Sequence, residues 1–295
     1  MRGRAGEEGR VAVVTGANGG IGRATAAALV HVGYRVVLAC RSREKAEAAR
    51  REILAGSGGG AVEVMGLDLA SMGSVRAFAG EFGSRFDRLD VLVNNAGLFD
   101  RRGSRTKDGY EVHFGVMHLG HFLLTNLLME HLRAAAPSRV VTVSAFGHRF
   151  VRDLGLGDLR GEKVASSFVA YCRTKLAQVL FTRELAGRAA GTGVTAYSLH
   201  PGVINTNLAN DIVPDGLSAA GLLLPGPEQG ARTSVYLATE PGIERYSGRY
   251  FSYRTFLRSP GRRPAKASPL AEDAGLREKL WRASAEACAF AVWAG

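Results

Sequence analysis

The chain has 295 residues, 46% hydrophobic and 22% charged, a balance that suits a folded globular domain and excludes a disordered or fibrous chain. Lys and Arg total 38 against 27 Asp and Glu, a formal net charge of +11, yet these cations are scattered and form no basic helix with interleaved aromatics, so no nucleic-acid partner is expected. Three widely spaced cysteines argue against a disulfide framework, no run reaches the ~20 apolar residues of a membrane span, and residues 1–10 resemble no signal peptide, which together point to the cytoplasm, free or peripheral to an intracellular membrane.

From residue 11 onward, short apolar runs alternate with longer helical patterns. Val11–Thr15 is apolar and β-branched, hence a buried strand. Residues 21–32 form an Ala-rich helix, 35–39 a second strand, 43–54 a second helix and 56–60 a glycine loop. Residues 62–65 are a third strand, and 71–86 a third helix with Ser71 as its cap. Residues 90–93 are a fourth strand. Residues 110–136 read as one long amphipathic helix that stops before Pro137, and 139–144 as a fifth strand. A helix over 168–190 closes at Gly191, and 194–199 is a sixth strand. After a loop rich in Gly and Pro come a helix over 228–239, a short strand near Tyr250 and a final helix over 275–289.

Strands that are nearly all apolar are buried on both faces, as in a parallel sheet. Six alternations at βαβ spacing give an α/β fold: a single doubly wound (Rossmann) domain with a parallel sheet and helices on both faces. Its limits are 11–256, after an N-terminal extension at 1–10 and before a C-terminal tail at 257–295 that carries a helix. The Pro- and Arg-rich stretch 259–268 is expected to be loosely held.

The first strand runs into Thr15-Gly16-Ala17-Asn18-Gly19-Gly20-Ile21-Gly22. A strand that turns sharply, brings its backbone against a pyrophosphate and opens a helix needs small residues at this spacing, G-x-x-x-G-x-G. Gly16, Asn18, Gly20, Ile21 and Gly22 are therefore candidate dinucleotide-binding residues. Side chains at Gly16 or Gly20 would intrude on the cofactor, and Gly22 would let the helix pack close to the sheet. At the end of the second strand an acidic residue would bind ribose hydroxyls. This chain instead has Arg41, whose guanidinium suits a 2′-phosphate, so NADP(H) is expected over NAD(H).

Tyr171 and Lys175 lie four residues apart on a helix, hence on one face. A neighbouring ammonium favours tyrosinate and would lower the tyrosine pKa from ~10, giving an acid or base usable near neutral pH.

With the glycine turn and this pair, the chain resembles the short-chain dehydrogenase/reductase family. The matching residues are 15–22, Asp68-Leu69, Asn94-Asn95-Ala96-Gly97, Tyr171 to Lys175, and Pro201-Gly202. Residues 118–125, 180–185 and 247–251 look most like the retinol dehydrogenase-like subgroup, and the likeness covers about residues 9–290. The resemblance implies that Asp68 contacts the adenine and that Asn94, Ala96 and Gly97 line the cofactor groove. It implies that Pro201 to Thr206 hold the nicotinamide end, and that residues 208–225 cover an apolar substrate. It makes Tyr171 the proton-exchanging residue and Lys175 the group that binds the nicotinamide ribose and depresses the tyrosine pKa.

Two positions depart from the family pattern. The subgroup's Ser-Ser pair after the fifth strand reads Ser144-Ala145, so Ala145 stands where a serine would bond the substrate oxygen. Met117 replaces an asparagine that supports a water next to the lysine. Two readings follow. One is an enzyme interconverting an alcohol and a carbonyl on a hydrophobic retinoid, steroid or lipid aldehyde. The other is an NADP(H)-binding protein of the same fold with weak or no catalysis. His118 and His121 lack a third ligand at a convincing spacing, so no metal is expected. His148 is expected either to approach the substrate or to face water. The long helices starting near Tyr110 and Phe168 are where a homodimer would form.

Overall fold

Residues alternate sides along a strand, so a run such as VAVVT can be wholly apolar only if helices cover both faces of its sheet. That is its situation in a computed structural model, which describes residues 9–164, 166–204, 224–253 and 263–291. Val13 of β1 (Val11–Thr15) packs on one side with residues of α3 (Met72–Arg85) and α7 (Ser167–Arg188). Val14 packs on the other with α1 (Gly20–His31) and α2 (Arg43–Ser57).

The remaining strands are β2 (Arg35–Cys40), β3 (Val62–Gly66), β4 (Val91–Asn94), β5 (Ser138–Val143), β6 (Val194–His200) and β7 (Tyr250–Ser252). Among the described residues they form one sheet in the order β3-β2-β1-β4-β5-β6-β7. Every adjacent pair is parallel. The order reverses direction between β1 and β4, and at such a switch point the loops leaving the strands diverge and open a crevice at their carboxyl ends. Register places Val14 beside both Leu38 and Val93, so the loops after β1, β2 and β4 leave from one level.

Helix caps follow the sequence. Ser42, Ser71, Ser166 and Asp273 each accept a first-turn N–H, as expected for Ser71. The expected long helix over 110–136 is instead broken into α4 (Val112–Phe114), a π turn (Gly115–Leu119), α5 (Gly120–Leu127) and α6 (Met129–Ala134). Its start is moved by the Glu111 carboxylate, which caps α4 by accepting the N–H groups of His113 and Phe114. Tyr110 stays outside and donates its hydroxyl to the Ala287 carbonyl. At Gly115 a Cβ would lie 2.3 Å from Thr106, so this stretch can pack there only with glycine.

The two last helices are α8 (Pro227–Thr239), beside α1, and α9 (Ala274–Ala287). The final helix is part of the core: Trp281 is 2% exposed and packs edge-on to Phe122 of α5 and flat on Phe181 of α7. Ion pairs Arg183–Glu272 and Arg188–Glu278 tie the segment down from outside. Part of the stretch expected to be loose, 259–262, lies outside the described residues. Among the described residues no helix is long and apolar enough to cross a membrane.

Candidate active site

The glycine turn sits at the switch point. Gly16 has φ +65° and Gly20 φ +52°, left-handed conformations in which a Cβ is strained. At Gly16 a Cβ would also lie 2.9 Å from the Ala96 Cα, so the loops after β1 and β4 touch there. Gly22 has a different reason from the close packing on the sheet that was expected. Its Cβ would meet the Gly16 carbonyl and the Asn95 amide, each at 2.5 Å, so the turn itself excludes a side chain. Gly19 caps α1 and, as glycine, has no side chain to offer the first-turn N–H groups. Asn18, Gly20 and Ile21 are half-exposed beside them. Ile21 also reaches α8: a Cβ on Gly230 would lie 2.9 Å from both Ile21 and Ile204. Ile204, after β6, therefore comes to the same α8 position as Ile21 of the glycine turn; Pro201 is buried. Thr206 and residues 208–223 of the expected substrate cover lie outside the described residues.

Arg41 is exposed at the end of β2 and makes no ion pair among the described residues. Its neighbour Cys40 is buried against the turn, and burial raises its thiol pKa to about 11 against the pull of backbone hydrogen bonds from Ala17 and Asn18. Asp68 is half-buried after β3, where its carboxylate accepts from the Ala70 N–H and pairs with Lys107 at 3.1 Å. Ala96 is half-exposed and Gly97 exposed in the loop after β4. Asn94 is not: it is fully buried, and its amide donates to Thr125 of α5 at 3.0 Å. It braces β4 against the helix and presents no side chain to the groove.

Tyr171 and Lys175 share the buried face of α7, with Nζ 5.5 Å from the tyrosine ring centroid. Burial raises the Tyr171 pKa above its ordinary value, and the neighbouring Cys172 adds to this. The depression expected from Lys175 is absent, because burial also acts on the lysine and lowers it to about 7. Lys175 instead donates to the Val143 carbonyl at 3.1 Å and to Gln178 Oε1 at 3.0 Å. Tyr171 is held by rings and small residues. Phe99 and His113 meet its ring edge-on at 5.6 and 6.1 Å, and a Cβ at Gly147 would lie 3.7 Å from it. His113 is itself fixed: it accepts the Asp100 N–H at Nε2, so Nδ1 carries the proton given to Glu111, at 2.6 Å.

Neither residue just past β5, Ser144 or Ala145, offers a free hydroxyl. Ser144 is 2% exposed and donates to the Lys175 carbonyl at 2.8 Å. Ala145 is extended and opens a 3-10 turn, Phe146–Arg149. His148 in that turn neither faces water nor stands open to the cleft. It is fully buried, its Nδ1 bonds the Ala145 carbonyl at 2.7 Å, and its ring lies 4.6 Å from that of Tyr250. Phe146 and Phe150 of this segment, and Phe168 at the start of α7, are exposed, and the Phe150 ring contacts both of the others. His118 bonds Ser284 and His121 bonds Thr15, so the two point to different partners.

Sequence reasoning missed Gln178, His113 and Phe99. Gln178 follows Lys175 by three residues, a helical spacing that places both on one face. No such signal exists for His113 or Phe99, which reach Tyr171 only through the tertiary fold.

The turn, the tyrosine–lysine helix and the switch-point crevice are matched by known proteins. A family model described as short chain dehydrogenase matches residues 10–216. The chain is 48% identical over 246 residues to mouse retinol dehydrogenase 11, covering 83% of this chain and 78% of that protein. A solved structure of an uncharacterised protein from Mycobacterium paratuberculosis superposes with TM-score 0.78 at 37% identity, over 96% of this chain and 94% of the other. A structure titled as an NAD(P)-dependent gluconate 5-dehydrogenase from Beutenbergia cavernae, with bound NADP, gives TM-score 0.68 at 28% identity, over 83% and 95%. A match that spans the glycine turn, the sheet and the Tyr171–Lys175 helix shows that the chain belongs to the short-chain dehydrogenase family, among its retinol dehydrogenase-like members, as an oxidoreductase fold for a nicotinamide cofactor.

Proposed function

We propose that the chain is an NADP(H)-dependent oxidoreductase that interconverts an alcohol and a carbonyl on a hydrophobic substrate. The observation that carries this reading is the pairing of an open glycine turn with Tyr171 and Lys175 at the same end of one parallel sheet. The residues fit the cofactor. Gly16 and Gly20 add no side chain to the turn, the N-cap residue Gly19 gives α1 no side-chain bond, and Arg41, unpaired among the described residues, stands where a 2′-phosphate would lie. Asp68 fits the adenine end, Ala96 and Gly97 the groove, and Pro201 to Thr206 the nicotinamide end. When bound, the nicotinamide supplies or accepts the hydride.

This chain's own part is proton transfer and exclusion of water. Tyr171 donates its hydroxyl proton to the substrate oxygen in reduction and accepts it in oxidation. Lys175 binds the ribose, held in place by the Val143 carbonyl and Gln178. Phe99, His113 and Gly147 hold the phenol ring in place. The exposed Phe146, Phe150 and Phe168 support an apolar substrate, as do relatives named retinol dehydrogenases. Three free, buried cysteines fit a reducing cytoplasm. A homodimer through α5 and α7 would have to displace α9, which covers their outer face through Trp281, so any dimer is expected to use another surface.

NADPH oxidation across retinal, steroid ketones and medium-chain aldehydes tests the reading. Tyr171→Phe is expected to abolish turnover of any substrate found while NADPH still binds, since the ring packing is kept. Full activity of that variant would remove Tyr171 from the mechanism. Ala145 favours the second reading, a cofactor-binding protein with little catalysis, because Ser144 is already bonded to α7. Absence of turnover across the screen, with NADPH binding intact, would select it.

A further inference from the structure

Lys175 has few polar partners, and one of them is a side chain with no part in the reading above. Gln178, 1% exposed, accepts from Nζ through Oε1 and donates through Nε2 to the Met117 carbonyl at 2.9 Å. Its orientation is fixed by chemistry: an ammonium only donates and a carbonyl only accepts, so a flipped amide would face both with the wrong group. The Met117 carbonyl lies in the π turn and takes a second bond, from His121 Nδ1 at 3.0 Å. His121 Nε2 must then accept the Thr15 hydroxyl, at 2.9 Å. Thr15 Oγ1 in turn accepts the N–H groups of Asn95 and Ala96, each at 2.9 Å. A directional chain thus runs from the lysine through the π turn to the loops around the glycine turn. The amide and the carbonyl cannot pass a proton near neutral pH, so the chain is a brace.

We propose that Gln178 is the positioning residue for Lys175, aiming its ammonium and anchoring it to the π turn. The proposal rests on the assignment of Lys175 above. Loss of one neutral acceptor matters here because the surroundings offer little else. Tyr171 faces Lys175 from its own helix, His121 from α5 and His200 from β6. Burial keeps both histidines neutral, with pKa values lowered to about 4, and among the described residues no carboxylate pairs with Nζ. Burial leaves Lys175 titrating at about 7, so its protonation answers to each remaining partner.

The test is an NMR titration of the lysine Cε–Hε signals in the cofactor-free full chain, with Lys175 identified by its loss in Lys175→Met. Gln178→Met keeps length and removes both polar ends; the Lys175 midpoint is expected to fall by about half a pH unit or more. Gln178→Glu sets a carboxylate against Nζ, and the midpoint is expected to rise by about one unit or more. The limb of the kcat/KM profile that reports the lysine is expected to move the same way in each variant. Unchanged midpoints in both variants overturn the proposal. If Gln178→Met does not fold, the direction seen in Gln178→Glu decides alone. Midpoints that shift in a protein with no turnover on any carbonyl would sink the enzyme reading and leave Gln178's role standing.

Discussion

Arg41, after β2, and Ala145, after β5, each carry one chemical expectation. Arg41 is exposed and unpaired among the described residues, so its guanidinium is available to a phosphate that NADH lacks. Arg41→Ala is expected to weaken NADPH binding by about 1.5–3 kcal/mol, the worth of hydrogen bonds to charged groups, with NADH hardly changed. Calorimetry with both cofactors measures this; equal wild-type affinities would remove Arg41 as the selector. Ala145 has no hydroxyl to place against a developing alkoxide, and the neighbouring Ser144 is bonded to the Lys175 carbonyl. Loss of one such donor costs about 10²–10³ in turnover, so the wild type is expected to be slow and Ala145→Ser to gain at least about tenfold with NADPH affinity unchanged. A wild-type rate that Ala145→Ser leaves unaltered would mean that another donor fills the position.

At the scale of elements, close approach governs the site. The β1–α1 turn and the β4 loop meet at Gly16 and Ala96, and Gly22 lies under both the Gly16 carbonyl and the Asn95 amide. Neither of those is a flexible chain end, since the Asn95 amide donates back to the Thr15 carbonyl at 2.8 Å. A methyl group at Gly22 must therefore move backbone. Gly22→Ala is expected to lower stability by about 1–3 kcal/mol in urea unfolding and to weaken NADPH binding in parallel. A stable variant with intact affinity would show that the turn is softer than its packing implies. The π turn is an element of the same kind. It brings the Met117 carbonyl to Gln178 and His121, so Met117 acts through its backbone while its side chain is fully buried.

Across the whole molecule, buried bases set the response to acid. Burial lowers His118 to about 3 and His121 and His200 to about 4. In the unfolded chain these histidines take up protons below about 6.5, whereas the folded protein does not until its lower values are reached. The unfolded state therefore binds more protons throughout that window, and stability falls as pH drops from about 6.5 toward 4. Calorimetric Tm is expected to decline already between about pH 6.5 and 5, above the range where ordinary carboxylates titrate. A Tm that stays flat down to pH 5 would contradict the burial of these rings.

What local pattern and backbone chemistry control is legible from residue order alone. Apolar strands fixed a sheet buried on both faces, the 16–22 glycines fixed the turn, and the four-residue spacing put Tyr171 and Lys175 on one side of α7. The tertiary structure decided which way each polar group points, because its partner lies far along the chain. Asn94 bonds Thr125 rather than lining the groove, His148 is buried on Tyr250, and Glu111 caps a helix that periodicity alone would start earlier. Burial, which follows from packing and not from spacing, raised Tyr171 where an adjacent lysine alone would have lowered it. The final helix shows the same division: its pattern is local, but only the positions of Phe122 and Phe181 make Trp281 part of the core.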